Sequence, residues 1–263
     1  MTTVASGTGA VQGDLWGARA ADWAEHEIQY APVYEDAIRR LGVGPGTSVL
    51  DLGCGAGVFL RAAADAGAEV AGVDASAPLV AIAGERVPEA DVRLGDMERL
   101  PYDEDSFDVV TSFNSFWYAA GPIAALREAG RVARPGALVL ALVFGRPERC
   151  DVGAMLHVVA ALAPAAHGPR SMFSLHRPGV LERMAREAGL IPKATGDLHS
   201  TLEFAGEDAL VRQLLSPGPV VHATRAVGEP AVRRAILESL APFRRPDGRY
   251  TLENEWHYLI AVA

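Results

Sequence analysis

Cysteine is scarce in this sequence: only Cys54 and Cys150 occur, and they lie far apart in the chain. Such a pair builds no disulfide framework, and Cys54 lies among glycines, where a crosslink would be difficult to form. We therefore expect both to be free thiols. The seven histidines show neither an HExxH pattern nor Cys/His pairs at zinc spacing, so the sequence predicts no metal site.

Long apolar runs and clusters of positive charge are also absent. The longest apolar run, Ala137–Phe144, is far shorter than the roughly 20 residues that cross a bilayer, and residues 1–13 lack the basic start and apolar stretch of a secretory signal. A net charge of −9 without any Lys/Arg run would repel a nucleic-acid backbone. These features predict a cytoplasmic protein with neither a membrane nor a nucleic-acid partner. They leave open whether it is a monomer or a homodimer.

Apolar residues make up 49% of the chain, which is enough for a sizeable core. Between residues 48 and 144, short Val- and Leu-rich runs alternate with helical patterns at 57–66, from Ser76 onward and at 122–133. This alternation is typical of βαβ units and a parallel sheet. The predicted strands are Ser48–Gly53, Glu69–Asp74, Asp91–Gly95, Phe107–Phe113 and Ala137–Phe144.

The alternation ends after residue 144. Residues 150–176 are predicted to be irregular, and the later predicted elements are helices at 178–188, 207–215 and 230–240 and strands at 192–199 and 256–262. We expect an α/β fold with a doubly wound, mostly parallel, seven-stranded sheet. Added helices at the N-terminus and between strands five and seven should form a cap. The 263 residues are predicted to form one domain, with an N-terminal cap segment (1–42), a ligand-binding core (47–144), cap helices with the sixth strand (150–255) and a last strand (256–262).

A glycine-rich turn follows the first predicted strand. Val49–Gly57 reads VLDLGCGAG, a strand leading into a glycine turn and then a helix, which brings backbone amides and a helix N-terminus to one place. Asp74 ends the second strand, where a carboxylate can accept both hydroxyls of a ribose, and Asp96 follows the third. Because open α/β sheets bind ligands at the carboxyl ends of their strands, these residues predict a ligand cleft. The alternative is that both acids only cap the following helices.

Two details favour a cationic ligand over a dinucleotide. Val58 takes the place of the third glycine of a GxGxxG motif, so a pyrophosphate fits less well. Asp51 precedes the glycines on the strand, where an acid opposes a pyrophosphate but suits a ligand with an ammonium and a sulfonium.

The nine-residue motif, the acids and their spacing resemble class I, Rossmann-like S-adenosylmethionine-dependent methyltransferases over residues 47–144. The resemblance implies S-adenosylmethionine as cofactor, S-adenosylhomocysteine as product, and no metal. It implies the following cofactor contacts: Asp51 and the Gly53 backbone near the methionine amino group, Gly55 and Gly57 at points of close approach, Asp74 at the ribose, Asp96 and the Met97 amide at the adenine, and Asn114 near the methionine moiety. More loosely, Trp16–Gly17, Asp22–Ala24 and residues 248–256 resemble bacterial small-molecule methyltransferases, including ubiquinone-biosynthesis relatives.

Such an enzyme needs no universal catalytic residue. A sulfonium methyl group is already electrophilic, so the protein must align the acceptor, exclude water and, for a hydroxyl acceptor, remove a proton. The sequence offers four candidate bases and favours none of them, since each is equally compatible with a cap or a surface position. They are His176, His199, Tyr30 and Tyr118.

An aromatic trio directly after Asn114 is the predicted acceptor wall. Its members are Phe116, Trp117 and Tyr118, and Phe173, Met172 and the N-terminal aromatics are expected to complete it. The alternative is that the trio is ordinary core at a strand-to-helix junction.

The expected function is methyl transfer to an O, N or C atom of a small molecule, in secondary or quinone-like metabolism. A second possibility is an enzyme of the same fold that binds S-adenosylmethionine but catalyses a cyclisation or rearrangement. A third, a non-catalytic subunit with an eroded pocket, is weakened because the glycines and acids of the cleft all occur together.

Overall fold

The computed structural model describes residues 8–163 and 173–263. Within them, seven strands form one sheet in the order β3-β2-β1-β4-β5-β7-β6. The strands are β1 (Ser48–Leu52), β2 (Glu69–Asp74), β3 (Asp91–Leu94), β4 (Phe107–Phe113), β5 (Ala133–Phe144), β6 (Ile191–Phe204) and β7 (Tyr250–Val262). Strands β1 to β5 pair in parallel, and β7 runs antiparallel to both β5 and β6. The predicted α/β fold with a mostly parallel seven-stranded sheet is confirmed.

Helices cover both faces of this sheet. The helices of the described residues are α1 (Gly9–Gly17), α2 (Ala20–Glu27), α3 (Ala31–Leu41), α4 (Val58–Asp65), α5 (Ala77–Arg86), α6 (Pro122–Val132), α7 (Asp151–Leu162), α8 (Val180–Glu187), α9 (Glu207–Leu214), α10 (Gly218–Val227) and α11 (Glu229–Leu240). One core cluster packs α3, α4, α7 and α9 to α11 against one face, and a second packs α6 and α8 against the other. Neighbouring residues of a strand point to opposite faces and so belong to opposite clusters. Val49 belongs to the first cluster and Leu50 to the second, and both are fully buried. No helix of these two described stretches is long and apolar enough to cross a membrane.

Several sequence predictions are wrong after residue 132. Residues 151–162, predicted to be irregular, form α7; its small and apolar residues leave no amphipathic stripe for a periodicity argument to find. Helix α10 was not predicted because Pro217-Gly218-Pro219 is typical of a turn. The fifth strand, predicted to begin at Ala137, begins at Ala133, and its first residues lie next to a register shift against β4.

Strands β6 and β7 are longer than predicted. Because β5 ends at Phe144 opposite Trp256, their extra residues pair with each other, from Ser200 opposite Asn254 to Phe204 opposite Tyr250. Two isolated bridges, Cys150 with Asn254 and Arg244 with Tyr250, add to this pairing. The pair therefore extends past the carboxyl edge of the sheet as a two-stranded arm. Leu202, Phe204, Tyr250 and Leu252 of the arm join the core cluster that contains α7, α9 and α11, so the arm and these helices form the cap.

Candidate active site

A cleft lies at the carboxyl ends of β1, β2 and β4, beneath the N-terminal helices. Its empty volume is about 820 Å³ with the open mouth included. Helix α1 packs directly against the loop after β2, since a Cβ on Gly13 would lie 2.0 Å from the Ala75 carbonyl oxygen. A smaller cleft of about 330 Å³ adjoins the first, and Asp74, Met97 and Tyr118 border both.

Every backbone amide of the glycine loop at the base of the cleft has a hydrogen-bond acceptor within the protein. Gly53, Gly55 and Gly57 all have positive φ, between 55° and 80°, which side chains larger than hydrogen disfavour. The six successive N–H groups from 53 to 58 donate as follows: Gly53 and Cys54 to Val73 O, Gly55 to Asp74, Gly57 to Cys54 O, and Ala56 and Val58 to Glu27. The loop therefore has no free amide for a phosphate, which argues against a dinucleotide site.

Asp74 borders both clefts and holds the loops on either side of it. Its Oδ2 accepts from Gly55 N at 2.9 Å and its Oδ1 from Ser76 N at 2.8 Å. Burial raises the pKa of Asp74 to about 6, and these backbone hydrogen bonds oppose that rise. The N-cap of α5 is Ser76, whose hydroxyl accepts from Leu79 N at 3.4 Å. Helix capping is therefore not the main role of Asp74.

Three other predicted cofactor residues border the two clefts. Asp96 and Met97 follow β3 at the smaller cleft, and Asp96 Oδ1 accepts from Glu98 N at 2.9 Å. Asn114 follows β4 at the larger cleft, in a left-handed conformation with φ 52° that costs energy outside glycine. Its side-chain Oδ1 is buried without a hydrogen-bond partner among the described residues. It can therefore accept a hydrogen bond from a ligand cation.

Asp51 and Gly57 lie behind the cleft. Asp51 is buried, and Thr111 Oγ1 donates to its Oδ1 at 2.7 Å. Burial raises the pKa of Asp51 well above its ordinary value, and this hydrogen bond opposes the rise. Gly57 precedes α4 with φ 80° and packs against Ala83, which a Cβ on Gly57 would approach to 3.0 Å. Gly53 and Gly55 do border the larger cleft.

Aromatic side chains surround the rest of the larger cleft. Trp16 makes edge-to-face contacts with Trp23 and Tyr118, at ring-centroid distances of 4.7 and 5.4 Å, and Tyr30 contacts Trp256 in the same way at 5.4 Å. Among the described residues that border this cleft, Asp74 is the only one with a charged side chain. Within the described stretches, the aromatic part of the cleft is therefore apolar and has no cationic side chain.

Of the predicted aromatic trio, only Tyr118 borders the larger cleft, together with the N-terminal aromatics Trp16, Trp23, Tyr30 and Tyr34. Phe116 is fully buried in the core between the sheet and α6, because the short 3₁₀ turn after β4 directs it inward. Trp117 packs on Tyr118 at 4.3 Å without bordering the cleft. Phe173 packs on Phe144 at 5.4 Å, again away from the cleft, and Met172 lies outside the described residues.

The four candidate bases divide in the same way. Tyr30 and Tyr118 border the larger cleft. His176 is hydrogen-bonded through Nδ1 to the Phe173 carbonyl, and His199 is exposed on β6. Neither histidine borders the cleft.

Sequence reasoning missed the polar residues that α2 supplies. His26 is 1% exposed, and its Nε2 lies 2.9 Å from the Tyr30 hydroxyl. Glu27 is 3% exposed and accepts two amides of the glycine loop. The spacing of four between His26 and Tyr30 places them on one helical face and was the available signal. For Glu27 the sequence offers no signal, because its partners lie on another element.

Comparisons with known proteins agree with this geometry. A family model described as "Methyltransferase domain" matches residues 50–141. The ubiquinone biosynthesis O-methyltransferase of Bordetella pertussis is 29% identical over 194 residues, covering 68% of this chain and 79% of that protein. Among solved structures, the YcgJ protein of Bacillus subtilis has a TM-score of 0.58 at 19% identity, covering 87% of this chain and 97% of that one. The [4+2]-cyclase SpnF has a TM-score of 0.55 at 20% identity, covering 88% and 80%. At these identities the two solved structures establish the fold alone.

The fold, the cleft and the match to a methyltransferase domain over residues 50–141 support a class I S-adenosylmethionine-dependent methyltransferase. Its cofactor is S-adenosylmethionine and its substrate is a small molecule, as predicted. The residues present fit the cofactor, because the loop has no free amide for a phosphate and the unpartnered Asn114 Oδ1 is an acceptor for a cation. Among the residues in view, no group of three or more His, Cys, Asp or Glu could hold a metal ion.

Proposed function

We propose that this enzyme methylates a hydroxyl oxygen of an uncharged aromatic molecule, of the phenol or quinol type. The observation that carries the proposal is the acceptor end of the cleft, which is walled by Trp16, Tyr30, Tyr118 and Trp256 and contains no basic side chain among the described residues. Flat rings pack well against such walls. A carboxylate or phosphate on the acceptor would be buried without a counter-charge. The name of the Bordetella pertussis relative, an O-methyltransferase of ubiquinone biosynthesis, supports the same acceptor class.

The cofactor would lie along the two adjoining clefts. Asp96 and Met97 would contact its adenine, and Asp74 would contact its ribose. Asn114 and the backbone of Gly53 and Gly55 would contact its methionine end. When bound, it supplies an electrophilic methyl group. The protein's own task is then to align the acceptor and keep water out. Asp51 and Gly57 would support the loop from behind.

Tyr30 is the polar group that we assign to the acceptor oxygen. Burial lowers the pKa of His26 to about 4, so its ring is neutral at pH 7 and its Nε2 can accept the Tyr30 hydroxyl proton. Burial raises the pKa of Tyr30, so the phenol is neutral as well. The fixed pair would orient the Tyr30 oxygen toward the acceptor hydroxyl. As the methyl group is transferred, the proton of that hydroxyl would pass to the Tyr30 oxygen while the Tyr30 proton moves to His26 Nε2. The ring of Tyr118 would hold the acceptor in line.

Transfer of label from methyl-labelled S-adenosylmethionine tests the proposal. Catechol is the probe, protocatechuate is the same ring with a carboxylate, and ortho-phenylenediamine replaces both hydroxyls by amines. We expect label on catechol oxygen and much slower transfer to the other two. Preferred labelling of the carboxylate or the amine would contradict the proposal. Unlabelled, rearranged products from a screen of larger phenols would favour a cyclisation or rearrangement instead.

We also propose that residues 1–263 act as one methyltransferase domain, since Trp16, Tyr30 and Trp256, from outside the cofactor-binding core, all border the cleft. The absence of a nucleic-acid partner and the cytoplasmic location stay predictions from charge and composition.

A further inference from the structure

Helix α2 places a buried carboxyl group on the glycine loop. Glu27 is 3% exposed, and its carboxylate accepts from Ala56 N at 2.7 Å and Val58 N at 3.3 Å. These amides lie at the N-terminus of α4, where the helix dipole favours negative charge. The carboxylate also abuts the cleft-lining glycine, since a Cβ on Gly55 would lie 2.8 Å from Glu27 Oε2. Glu27 itself does not border the cleft.

A second contact fixes α2 to the same loop. The Arg86 guanidinium of α5 donates to Ala56 O at 2.6 Å and to Ala24 O of α2 at 3.3 Å. The amide of Ala56 is thus held by Glu27 and its carbonyl by Arg86. Loop geometry and the position of α2 therefore depend on each other.

The same helix reaches the cofactor cleft with Trp23. The indole borders the cleft, its Nε1 is buried without a hydrogen-bond partner among the described residues, and a Cβ on Gly55 would lie 3.2 Å from it. Moving Glu27 would therefore move a wall of the cleft as well as the loop.

Glu27 adds a second buried acid to the cofactor end of the cleft, beside the buried Asp51 and the half-buried Asp74. Burial raises the pKa of Glu27 to about 7, so a cation bound nearby should displace its proton. The charged and titratable groups that act on or respond to Glu27 are Asp51, Cys54, Asp74, Arg86, Tyr30 and Tyr34. Arg86 is the one cation in this set.

We propose that Glu27 is a positioning residue of the cofactor site that also sets its charge preference. Its carboxylate holds the glycine loop and α2 together, and its negative charge favours S-adenosylmethionine, with a sulfonium, over S-adenosylhomocysteine, with a neutral sulfur. Product release is then assisted, because transfer of the methyl group removes the positive charge that Glu27 attracts. This rests on the cofactor assignment and is independent of the acceptor class.

Calorimetric titration of the full chain with each of the two ligands tests the proposal. E27Q keeps the size of the side chain and removes the charge. E25Q is the matched control, the same change at an exposed position of the same helix, where Glu25 pairs with Arg212 at 2.6 Å. We expect E27Q to weaken S-adenosylmethionine about tenfold and S-adenosylhomocysteine about threefold or less, and E25Q to change neither. Equal losses for both ligands, or no loss, would overturn the proposal. If the wild-type protein binds neither ligand, the cofactor assignment itself fails.

A second measurement does not depend on how the variant folds. Calorimetric titration in buffers of different ionisation enthalpy measures the protons released on binding. At pH 7 a group with pKa about 7 is half protonated, so wild-type protein should release about half a proton when S-adenosylmethionine binds. Asp74, with pKa about 6, contributes little at this pH. Binding of S-adenosylmethionine without proton release would overturn the proposal. Folded E27Q should release fewer protons than wild type, since any release that remains comes from Asp51 and Asp74.

Discussion

Tyr118 borders both clefts, and its substitution tests whether acceptor alignment can be separated from cofactor binding. Tyr118→Ala should leave the Kd for S-adenosylmethionine within a few-fold but lower turnover about a hundredfold, because a displacement of the acceptor of roughly 1 Å costs about that much. Tyr118→Phe keeps the ring and should turn over nearly normally if the residue acts by shape. Trp117→Phe, next to Tyr118 but off the cleft, is the control. Normal turnover in Tyr118→Ala would place Tyr118 outside the acceptor wall.

Tyr30 tests the polar contact rather than the wall. Tyr30→Phe removes the hydroxyl that lies 2.9 Å from His26 Nε2 and keeps the edge-to-face contact with Trp256. We expect turnover to fall about tenfold or more, with unchanged affinity for S-adenosylmethionine, because a buried hydrogen bond to the acceptor oxygen is lost. Steady-state kinetics with the preferred phenol measures this. A variant as active as wild type would show that Tyr30 contributes only packing.

Residues whose position follows from the backbone could be placed at the cleft from the sequence. Asp74 and Asn114 end strands of an alternating pattern, and the carboxyl ends of parallel strands form one edge. His26 and Glu27 could not be predicted, because their function depends on where α2 docks. The pattern of an isolated amphipathic helix does not contain that information.

Helix α2 carries two buried titratable groups whose effects on stability oppose each other. Burial lowers the pKa of His26 from 6.5 to about 4. Between these pH values the unfolded chain binds a proton at His26 and the folded protein does not. The folded protein therefore loses stability as the pH falls from 6.5 to 4. Burial raises the pKa of Glu27 from 4.5 to about 7. Between these pH values the folded protein keeps a proton on Glu27 that the unfolded chain has lost. The folded protein therefore loses stability as the pH rises from 4.5 to 7. Between pH 4.5 and 6.5 the two trends oppose.

Substitution should separate the two trends. Relative to wild type, His26→Gln should become more stable as the pH falls from 6.5 to 4, and Glu27→Gln more stable as it rises from 4.5 to 7, each by up to about 3 kcal/mol. Urea denaturation at several pH values measures these differences, with Glu25→Gln as an exposed control. Parallel pH profiles for wild type and both variants would show that neither group is titrated by folding.

At the scale of elements, sequence prediction was accurate where apolar residues alternate with helical patterns and failed where that signal is weak. Helix α7 contains too many small and apolar residues to show a stripe, and α10 begins within a turn-like Pro-Gly-Pro sequence. The lengths of β6 and β7 could not be predicted from the sequence either. Each extends past the sheet because it has the other as a partner, and pairing between distant segments is not visible in either segment alone.

For the whole molecule, we expect activity to be independent of divalent metals. Exhaustive chelation should leave turnover unchanged, because the sulfonium methyl group is electrophilic without a Lewis acid. Turnover before and after dialysis against EDTA measures this, with a known metal-dependent methyltransferase as the positive control. Loss of activity that one divalent metal restores would contradict the prediction.

The hydrogen bonds that the amides of the glycine loop make within the protein should keep the loop ordered without its cofactor. Since all six N–H groups from 53 to 58 already donate within the protein, the loop should be ordered before any ligand arrives, and binding need not pay the entropy of ordering it. In hydrogen–deuterium exchange of the ligand-free protein, these amides should exchange as slowly as those of β1, through global rather than local opening. In E27Q, the single side-chain oxygen can accept from only one of Ala56 N and Val58 N, so at least one of these two amides should become fast. Gly53 and Cys54, held by Val73, should remain slow.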